Sequence, residues 1–418
     1  MTVPLAFETY RARLDGLAAP RRYAVAVSGG RDSMALMRLA AVDAKAGADV
    51  VALTVDHGLR DGSRAEAEQT GRWARAAGLD HRILVWEGDK PSAGKQEAAR
   101  RARYLLLASE AERLGFPAIL AAHTADDQAE TVFMRLARGA GPQGLSGMAP
   151  VSRIAAGPGA PLALLRPFLD ATREETGATC AAFGQPYADD PSNDDPAYER
   201  VRARALLAAL EEQKLLTRDA LLKTAARARA AAERLAAAEA RVFAGAGGCF
   251  HAGGWASLAA SRLDRSAAAM VARLIGAVSG SEHPPGEADA AAALEALAAS
   301  GAATLGGALL KRRGGTVFVM REPAALLGRA GVDPLPGLPL PAGGRALWDG
   351  RFIAENSGPA AVLAPLGPAG LTHPARGLFD APDEALLGAP DALFASSGAI
   401  ALKPLAEERF FAPVLRFC

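Results

Sequence analysis

The chain has 418 residues, and at roughly 100 to 200 residues per domain this length predicts two to four domains. Lysine and arginine together number 47 against 46 aspartate and glutamate residues, so no overall positive charge indicates a nucleic-acid partner, and local clusters would have to bind one. No segment reaches the ~18 apolar residues that cross a bilayer, and the first residues lack the apolar stretch of a secretion signal. We therefore expect a cytoplasmic protein with no membrane partner.

The cysteines Cys180, Cys249 and Cys418 are widely spaced along the chain. This spacing excludes a disulfide framework and a CxxC metal or iron–sulfur site. We expect these thiols to be chemically inert.

Over the first ~200 residues, short apolar segments alternate with helical patterns, which is typical of a parallel sheet covered by helices on both faces. The predicted strands are 23–27, 50–55, 82–86, 117–122 and 162–166. The predicted helices are 32–46, 63–77, 95–114, 126–138 and 172–183. The pattern therefore predicts an α/β domain of the nucleotide-binding type.

The second half of the chain has a different composition. It begins with long predicted helices rich in alanine, leucine and arginine at 218–244, 261–278 and 287–299. A hairpin with Gly314-Gly315 at its turn follows these helices. Beyond it, Asp349-Gly350 marks another hairpin turn, and a second short strand pair is predicted around 393–402. We divide the chain into an α/β domain at 1–216, an α-rich domain at 217–331, a Pro/Gly linker at 332–344 and a small β-rich module at 345–418.

Residues 28–33, SGGRDS, follow the first predicted strand directly and begin a helical pattern. Backbone N–H groups at a helix N-terminus bind anions, and the glycine pair lets an anion approach the backbone closely. The alternative is an ordinary strand-to-helix turn in which Asp32 caps the helix. The complete string in this position favours an anion-binding loop.

SGGRDS also resembles the SGGxDS signature of the PP-loop, or N-type, ATP pyrophosphatases, whose loop holds the pyrophosphate of ATP while the α-phosphate is attacked. Further segments, taken in order over residues 22–204, resemble the tRNA(isoleucine) lysidine synthetases. These segments are VDHGLR at 55–60, QEAARRARY at 96–104, AAHTADDQAETVFMRLARGAGPQGLSGM at 121–148 and DDPSNDDPAYERVRAR at 189–204. The C-terminal half contributes less to the resemblance, chiefly the hairpin ending in VMRE and the helical region before it.

The resemblance implies a PP-loop fold and a ligase that adenylates the C2 oxygen of the wobble cytidine in an isoleucine tRNA with a CAU anticodon. Free L-lysine would then displace AMP. The resemblance also implies that the domain at 1–216 binds ATP and catalyses the reaction, and that the α-rich domain at 217–331 binds the tRNA. The ATP-binding residues that it implies are Ser28, Gly29, Gly30, Arg31, Asp32, Ser33, His57 and His123. Of these, Arg31 occupies a position where the signature accepts nearly any residue, and a buried or capping role for His57 is a close alternative.

The segment HTADDQAE at 123–130 carries the acidic residues of the predicted site. A helix would bring Asp127 and Glu130 onto one face near its N-terminus. Acids in a first turn also complement the helix dipole, by about 0.3 to 1 kcal/mol, without any further role. The resemblance implies that Asp32, Asp127 and Glu130 form a Mg²⁺ site beside the phosphates, for which one or two carboxylates suffice. The remaining acid would orient or deprotonate the incoming lysine, and the sequence does not say which acid that is.

Arginines are the predicted phosphate contacts. Arg100 and Arg103 lie one helical turn apart, and the planar guanidinium suits phosphate oxygens. A solvated basic face is the plainer interpretation, but the resemblance favours Arg100 as a catalytic contact. Arg200, Arg202 and Arg204 in ERVRAR are the predicted tRNA contacts, although each alone is typical of a solvated face.

The chain departs from the family pattern at Thr124, where a second histidine is usual, and at Val201, where asparagine is usual. Its tail lacks an evident C-terminal family signature, so whether the tail takes part in tRNA binding is left open. A PP-loop tRNA 2-thiolase would need reactive cysteines or an iron–sulfur cluster, which the cysteine spacing does not offer. A non-catalytic nucleotide- or RNA-binding module is hard to reconcile with the intact acids and Arg100. The oligomeric state, with a homodimer among the options, is not determined by the sequence.

Overall fold

The computed structural model describes residues 2–59, 62–87, 90, 95–154, 161–188, 199–281, 283–329, 333–373, 381–394 and 399–411. These residues fold as two compact units, the first reaching to Ala232 and the second beginning at Glu233. The division of the chain at 216/217, 331/332 and 344/345 stays a prediction. The acidic string 189–196 lies outside the described residues.

The first unit is built around a six-stranded sheet with helices on both faces. The strands are β1 (Arg22–Ala26), β2 (Asp49–Asp56), β3 (Asp80–Val85), β4 (Ala118–Leu120), β5 (Val151–Ile154) and β6 (Leu162–Leu165). The helices are α1 (Phe7–Gly16), α2 (Arg31–Lys45), α3 (Ser63–Ala76), α4 (Lys95–Arg113), α5 (Ala125–Ala137), α6 (Pro142–Leu145), α7 (Arg173–Ala182), α8 (Glu199–Glu212) and α9 (Arg218–Gly245). The last helix contains the boundary between the two units.

The strand order is β3-β2-β1-β4-β6-β5, and every neighbouring pair is parallel except β5 with β6. This arrangement confirms the predicted α/β parallel-sheet fold. Strand β5 was not among the predicted strands because Ser152 and Arg153 interrupt its apolar pattern. It lies at the edge of the sheet, where a short antiparallel strand needs no continuous apolar run.

Strand β1 lies in the middle of this sheet, and its residues Tyr23, Ala24 and Val25 are fully buried. Helix α2 covers one face with Met34 and Leu36, among others, while α4 covers the opposite face. Burial on both faces explains why β1 is an uninterrupted apolar segment. The loop after β1 therefore opens at the carboxyl edge of the sheet, where ligands bind in open α/β folds.

A buried carboxylate ties the first helices to this central strand. Asp43 of α2 has no exposed surface, and it accepts hydrogen bonds from the Tyr23 hydroxyl at 2.6 Å, from Arg11 at 2.9 Å and from Arg21 at 2.8 Å. A buried charge that is this well compensated is tolerated, whereas the loss of one partner is costly. The network therefore helps to hold α2, and with it the loop that precedes α2, in register with β1.

The second unit combines helices with antiparallel sheets. Its helices are α10 (Ala268–Ser279), α11 (Glu287–Ser300), α12 (Ala324–Leu327), α13 (Asp383–Leu387) and α14 (Ala406–Phe411). A five-stranded sheet, in the order β7-β8-β11-β10-β9, comprises β7 (Cys249–Phe250), β8 (Ala256–Ala259), β9 (Ala302–Leu305), β10 (Ala308–Arg313) and β11 (Thr316–Arg321). The predicted hairpin is confirmed, because β10 and β11 pair across a turn in which Gly314 has φ +58°.

Helix α10 begins later than predicted. The segment from 261 was expected to be helical, but residues before Ala268 form short 3₁₀ turns. The Asp264 carboxylate causes this break by accepting a hydrogen bond from the Ser266 amide at 2.8 Å, which competes with a regular helix.

The last strands are β12 (Leu338–Leu340), β13 (Arg345–Trp348), β14 (Phe352–Asn356), β15 (Ala361–Leu363) and β16 (Ile400–Pro404). The predicted turn at Asp349-Gly350 is present, with φ of +49° and +64°. Strand β12 lies inside the segment expected to be a linker and pairs with β15. The strand pair expected around 393–402 is wrong in part: β16 pairs with β14, and Asp391–Phe394 is a 3₁₀ helix. None of the helices in the described residues has the length and apolar character needed to cross a membrane.

Candidate functional site

The loop between β1 and α2 contains Ser28, Gly29 and Gly30, as the sequence predicts. Gly29 has φ +88°, and a Cβ atom there would lie 2.6 Å from the Thr70 hydroxyl of α3, so only glycine fits. The Ser33 hydroxyl donates to the Gly30 carbonyl at 2.8 Å and accepts from the Ser28 amide at 3.1 Å. These bonds fix the loop at the N-terminus of α2, where the helix dipole favours an anion.

Asp32 lies in the first turn of α2 and faces neighbouring charged and polar groups. Its Oδ1 accepts a hydrogen bond from the Thr176 hydroxyl of α7 at 2.5 Å and lies 3.4 Å from the Arg31 Nε. Burial raises the pKa of the Asp32 carboxyl, and the nearby Asp127 adds to this, although Thr176 and Arg31 oppose it. Such a carboxylate gains stability when a cation joins it.

Asp127 lies at the start of α5, whose first turn is a capping box. The Thr124 amide donates to Oδ2 of Asp127 at 2.9 Å, and the Asp127 amide donates to the Thr124 hydroxyl at 3.4 Å. Burial acts to raise the pKa of the Asp127 carboxyl, but His123, the Thr124 hydrogen bond and nearby arginines hold it below its ordinary value. Thr124, where the family pattern usually has histidine, therefore orients an acid of the predicted site.

Glu130 is one turn further along α5, and only 3% of its side chain is exposed. Its carboxylate oxygens lie 2.7 Å from the Arg204 Nε, 3.4 Å from the Arg200 Nε and 3.3 Å from an Nη of Arg173. Three guanidinium groups hold this buried carboxylate in place. Glu130 therefore pairs with three arginines, Arg173, Arg200 and Arg204.

Arg173, the first residue of α7, lies between the predicted acids. Its guanidinium nitrogens are 3.3 Å from Asp127, 3.3 Å from Glu130 and 3.9 Å from Asp32. Sequence reasoning missed this residue. The available signal was a cation at a helix N-terminus, directly after the Thr172 cap, where the dipole disfavours positive charge unless acids compensate it.

The three arginines of ERVRAR do not share one environment. Arg200 and Arg204 lie four residues apart on α8, on the face that contacts Glu130. Arg200 also donates a hydrogen bond to the Thr131 hydroxyl at 3.2 Å. Arg202 is exposed on α8. Their assignment as tRNA contacts stays a prediction.

The remaining predicted residues lie after β2, after β4 and on α4. His57 accepts a hydrogen bond from the Arg103 Nε at 3.4 Å, and burial lowers the pKa of its imidazole to about 4. Burial and Arg166 lower the pKa of the His123 imidazole as well. Arg100 is exposed, with its guanidinium 5.0 Å from the centre of the Tyr104 ring.

Both histidines carry a ring nitrogen that is buried without a hydrogen-bond partner among the described residues, namely Nδ1 of His57 and Nδ1 of His123. Buried polar atoms nearly always have partners in folded proteins. The two nitrogens at the carboxyl edge of the sheet are compatible with contacts to a polar ligand, although Nδ1 of His81, away from the site, is also buried without a partner among the described residues.

The fold and the glycine loop define a PP-loop protein, and residues 7–210 match the family model described as the PP-loop domain. The tRNA(Ile)-lysidine synthase of Methylobacterium nodulans is 42% identical over an alignment of 342 positions, which covers 77% of this chain and 97% of that protein. The enzymes of that name from Ruegeria pomeroyi and Rhizobium meliloti are 38% and 37% identical, over 84% and 85% of this chain and 81% and 78% of their own lengths. The chain belongs to the tRNA(Ile)-lysidine synthase family.

Proposed function

We propose that this protein joins free L-lysine to C2 of the wobble cytidine in an isoleucine tRNA with a CAU anticodon, using ATP. The observation that supports it best is that Asp32 of the PP-loop and Asp127 of α5 face one cationic position, at 3.9 Å and 3.3 Å from Arg173. Two carboxylates beside an anion-binding loop suit a cation that also binds phosphate oxygens. Membership of the tRNA(Ile)-lysidine synthase family supports tRNA as the substrate.

The proposed reaction has two steps that balance without another reactant. The C2 oxygen of the cytidine attacks the α-phosphorus of ATP, the bond to the bridging oxygen breaks, and pyrophosphate leaves. The neutral ε-amine of lysine then attacks C2, and the C2–O bond breaks to release AMP with that oxygen. The amine loses a proton to a base or to water as the new C–N bond forms.

Pyrophosphate would bind at the N-terminus of α2, where Ser28 to Ser33 present backbone groups and the helix dipole. Arg100 is exposed on α4 and keeps its guanidinium available for phosphate oxygens. The orphan nitrogens of His57 and His123 would receive polar groups of the nucleotide. These groups bind and orient ATP before any bond is broken.

Mg²⁺ would be held by the pair Asp32 and Asp127. Among the residues that the structure describes, no group of three or more His, Cys, Asp and Glu side chains could hold a metal ion. Mg²⁺ in ATP-using sites takes only one or two carboxylates and fills its shell with phosphate oxygens and water. It would neutralise charge on the phosphates, while Glu130, already paired with arginines, would keep its anchoring role.

The tRNA would be held by exposed basic side chains, among them Arg202 of α8. A nearly neutral protein can bind RNA only through such local groups. A tRNA substrate and free lysine also imply that the reaction takes place in the cytoplasm.

The proposal is tested by incubating the protein with ATP, Mg²⁺, labelled lysine and isoleucine tRNA with a CAU anticodon. We expect lysine in the tRNA and one AMP and one pyrophosphate for each lysine joined. The matched control is the isoleucine tRNA with a GAU anticodon, whose first anticodon base is not cytidine. If folded protein that binds ATP transfers no lysine to the CAU tRNA, the proposal is wrong.

A further inference from the structure

Arg173 is the one residue whose guanidinium reaches Asp32, Asp127 and Glu130 among the described contacts. We propose that Arg173 is an internal cation, which in the ligand-free protein fills the position that a divalent cation takes at Asp32 and Asp127. Binding of the metal and binding of the guanidinium would then exclude each other. This inference rests on the proposed function, because it assumes that the metal site serves ATP.

The geometry favours a guanidinium that can leave. The Arg173 nitrogens lie 3.3 Å from Asp127 and from Glu130 and 3.9 Å from Asp32, distances longer than the 2.7 Å between Arg204 and Glu130. Charge-assisted hydrogen bonds are usually about 2.7 to 2.9 Å long. Arg173 therefore satisfies three acids loosely instead of binding one of them tightly.

Only the side chain of Arg173 needs to move. Its backbone amide donates to the Asp126 carboxylate at 2.9 Å, and the capping box of Thr172 and Glu175 fixes the first turn of α7. The Thr176 hydroxyl joins the same helix to Asp32. Because the main chain is held on these sides, the acids stay in position when the guanidinium rotates away.

The charges of these acids favour such a cation in the ligand-free protein. Glu130 has 3% and Asp127 has 15% of its side chain exposed on the same helix, and Asp32 lies close enough to Asp127 for their charges to interact. Buried like charges without a counter-ion are costly. Arg173, with 20% of its side chain exposed, supplies that counter-ion and still has a path to solvent.

A purely structural ion pair gives the opposite expectation for metal binding. If Arg173 only held the acids together, its loss would disorder them and weaken any cation site. If it competes with the metal, its loss frees the site. The apparent metal affinity falls in proportion to the fraction of molecules in which the guanidinium has left the site, so a site open in about a fifth of the molecules would gain about fivefold.

The experiment measures the affinity of ATP-free protein for Mn²⁺, as a stand-in for Mg²⁺, from the electron paramagnetic resonance signal of free Mn²⁺. We expect Arg173→Gln to bind Mn²⁺ at least about fivefold more tightly than the unmodified protein. The matched control is Arg218→Gln, because Arg218 pairs with Asp126 in the same turn of α5 and with Glu174 of α7, but with none of the three acids. The control should leave Mn²⁺ affinity unchanged, and adding Asp32→Asn to Arg173→Gln should abolish the gain.

Arg173→Lys is measured in parallel, since a lysine keeps the charge but cannot bridge several carboxylates. Its Mn²⁺ affinity should lie between those of the unmodified protein and Arg173→Gln. Unchanged or weaker Mn²⁺ binding in whichever of the two variants folds, judged by circular dichroism, overturns the inference. An equal gain in Arg218→Gln overturns it as well. Because this measurement needs neither tRNA nor lysine, a failure of lysine transfer is recorded separately from a failure of competition.

Discussion

The Thr176 hydroxyl donates a hydrogen bond to the Asp32 carboxylate at 2.5 Å, across 144 positions of the chain. The bond joins α7 to the PP-loop and fixes Oδ1 of the acid. The opposite oxygen, Oδ2, is thereby directed to the side where Arg173 lies. Helix α7, near the end of this domain in sequence, therefore orients Asp32, which lies near its beginning.

We expect Thr176→Val to reduce the rate of AMP formation about tenfold, since groups that orient a metal-binding acid typically contribute ten- to 100-fold. The stability of the fold should fall by about 1 kcal/mol. Thr176→Ser should restore activity. Thr179→Val is the control on the same helix, because the Thr179 hydroxyl contacts the Leu5 amide and the Glu175 carbonyl instead of Asp32. Full activity in Thr176→Val would contradict the orienting role.

Asp127→Asn should abolish lysine transfer and leave tRNA affinity nearly unchanged. Asparagine keeps the shape of the capping side chain but removes the charge that faces Arg173 and the proposed metal. Asp126→Asn is the matched control, as Asp126 precedes it in the sequence and contacts Arg218 and the Arg173 amide. Turnover and tRNA binding are measured separately, and near-normal turnover would show that Asp127 is not part of the site.

Arg202→Gln should weaken tRNA binding and reduce the slope of log affinity against log salt by about 1, the value for one lost phosphate contact. Arg202 is exposed on the helix whose other arginines, Arg200 and Arg204, pair with Glu130. Arg64→Gln is the control, because Arg64 is an exposed arginine of α3 that pairs with Glu68. An unchanged slope would show that Arg202 is part of the solvated surface.

His81 predicts a pH dependence of stability that is independent of the candidate site. Burial, with a smaller contribution from Arg75, lowers the pKa of the His81 imidazole from 6.5 to about 4, and its Nε2 lies 2.8 Å from the Thr54 hydroxyl. The unfolded chain binds this proton below about pH 6.5, whereas the folded chain binds it only near pH 4. The contribution to stability is therefore complete above pH 6.5 and is lost as the pH falls towards 4.

His81→Gln should flatten this part of the stability curve by up to about 2 kcal/mol, a value reduced for partial exposure. Urea unfolding between pH 4 and pH 7 measures the difference between the two proteins. The carboxylates contribute equally to both curves, so they cancel in the comparison. Parallel curves would contradict the burial effect on His81.

The parallel sheet could be predicted because its central strands are buried on both faces. Such strands appear as apolar runs, as with Tyr23 to Ala26, and they end at glycines or polar residues. Strand β5 shows where this signal stops: Ser152 and Arg153 give a short edge strand no apolar run. In the second unit, a local bond from Asp264 to Ser266 decided where α10 begins, and periodicity does not report such bonds.

The candidate site was predictable where its residues are neighbours in sequence. The loop at 28–33 and the acids of α5 follow from local spacing. The pairing of Glu130 with Arg204 joins positions 74 residues apart, and that of Asp32 with Thr176 joins positions still further apart. Spacing within one segment carries no information on such pairs, so the sequence marks Arg173 only as a cation at a helix N-terminus and does not show which acids it contacts.

Helix α7 touches both acidic elements at its first turns: Arg173 binds Asp126 through its backbone amide, and Thr176 binds Asp32 through its hydroxyl. The helix thus works as a spacer that sets the separation between the nucleotide loop and the acidic turn. Deeper in the helix, the Cys180 thiol donates to the Arg31 carbonyl at 3.4 Å, which fixes the same spacer against α2. A small tilt of α7 would move the PP-loop acid and the first turn of α5 together, so the alignment of the proposed site depends on the packing of one ten-residue helix.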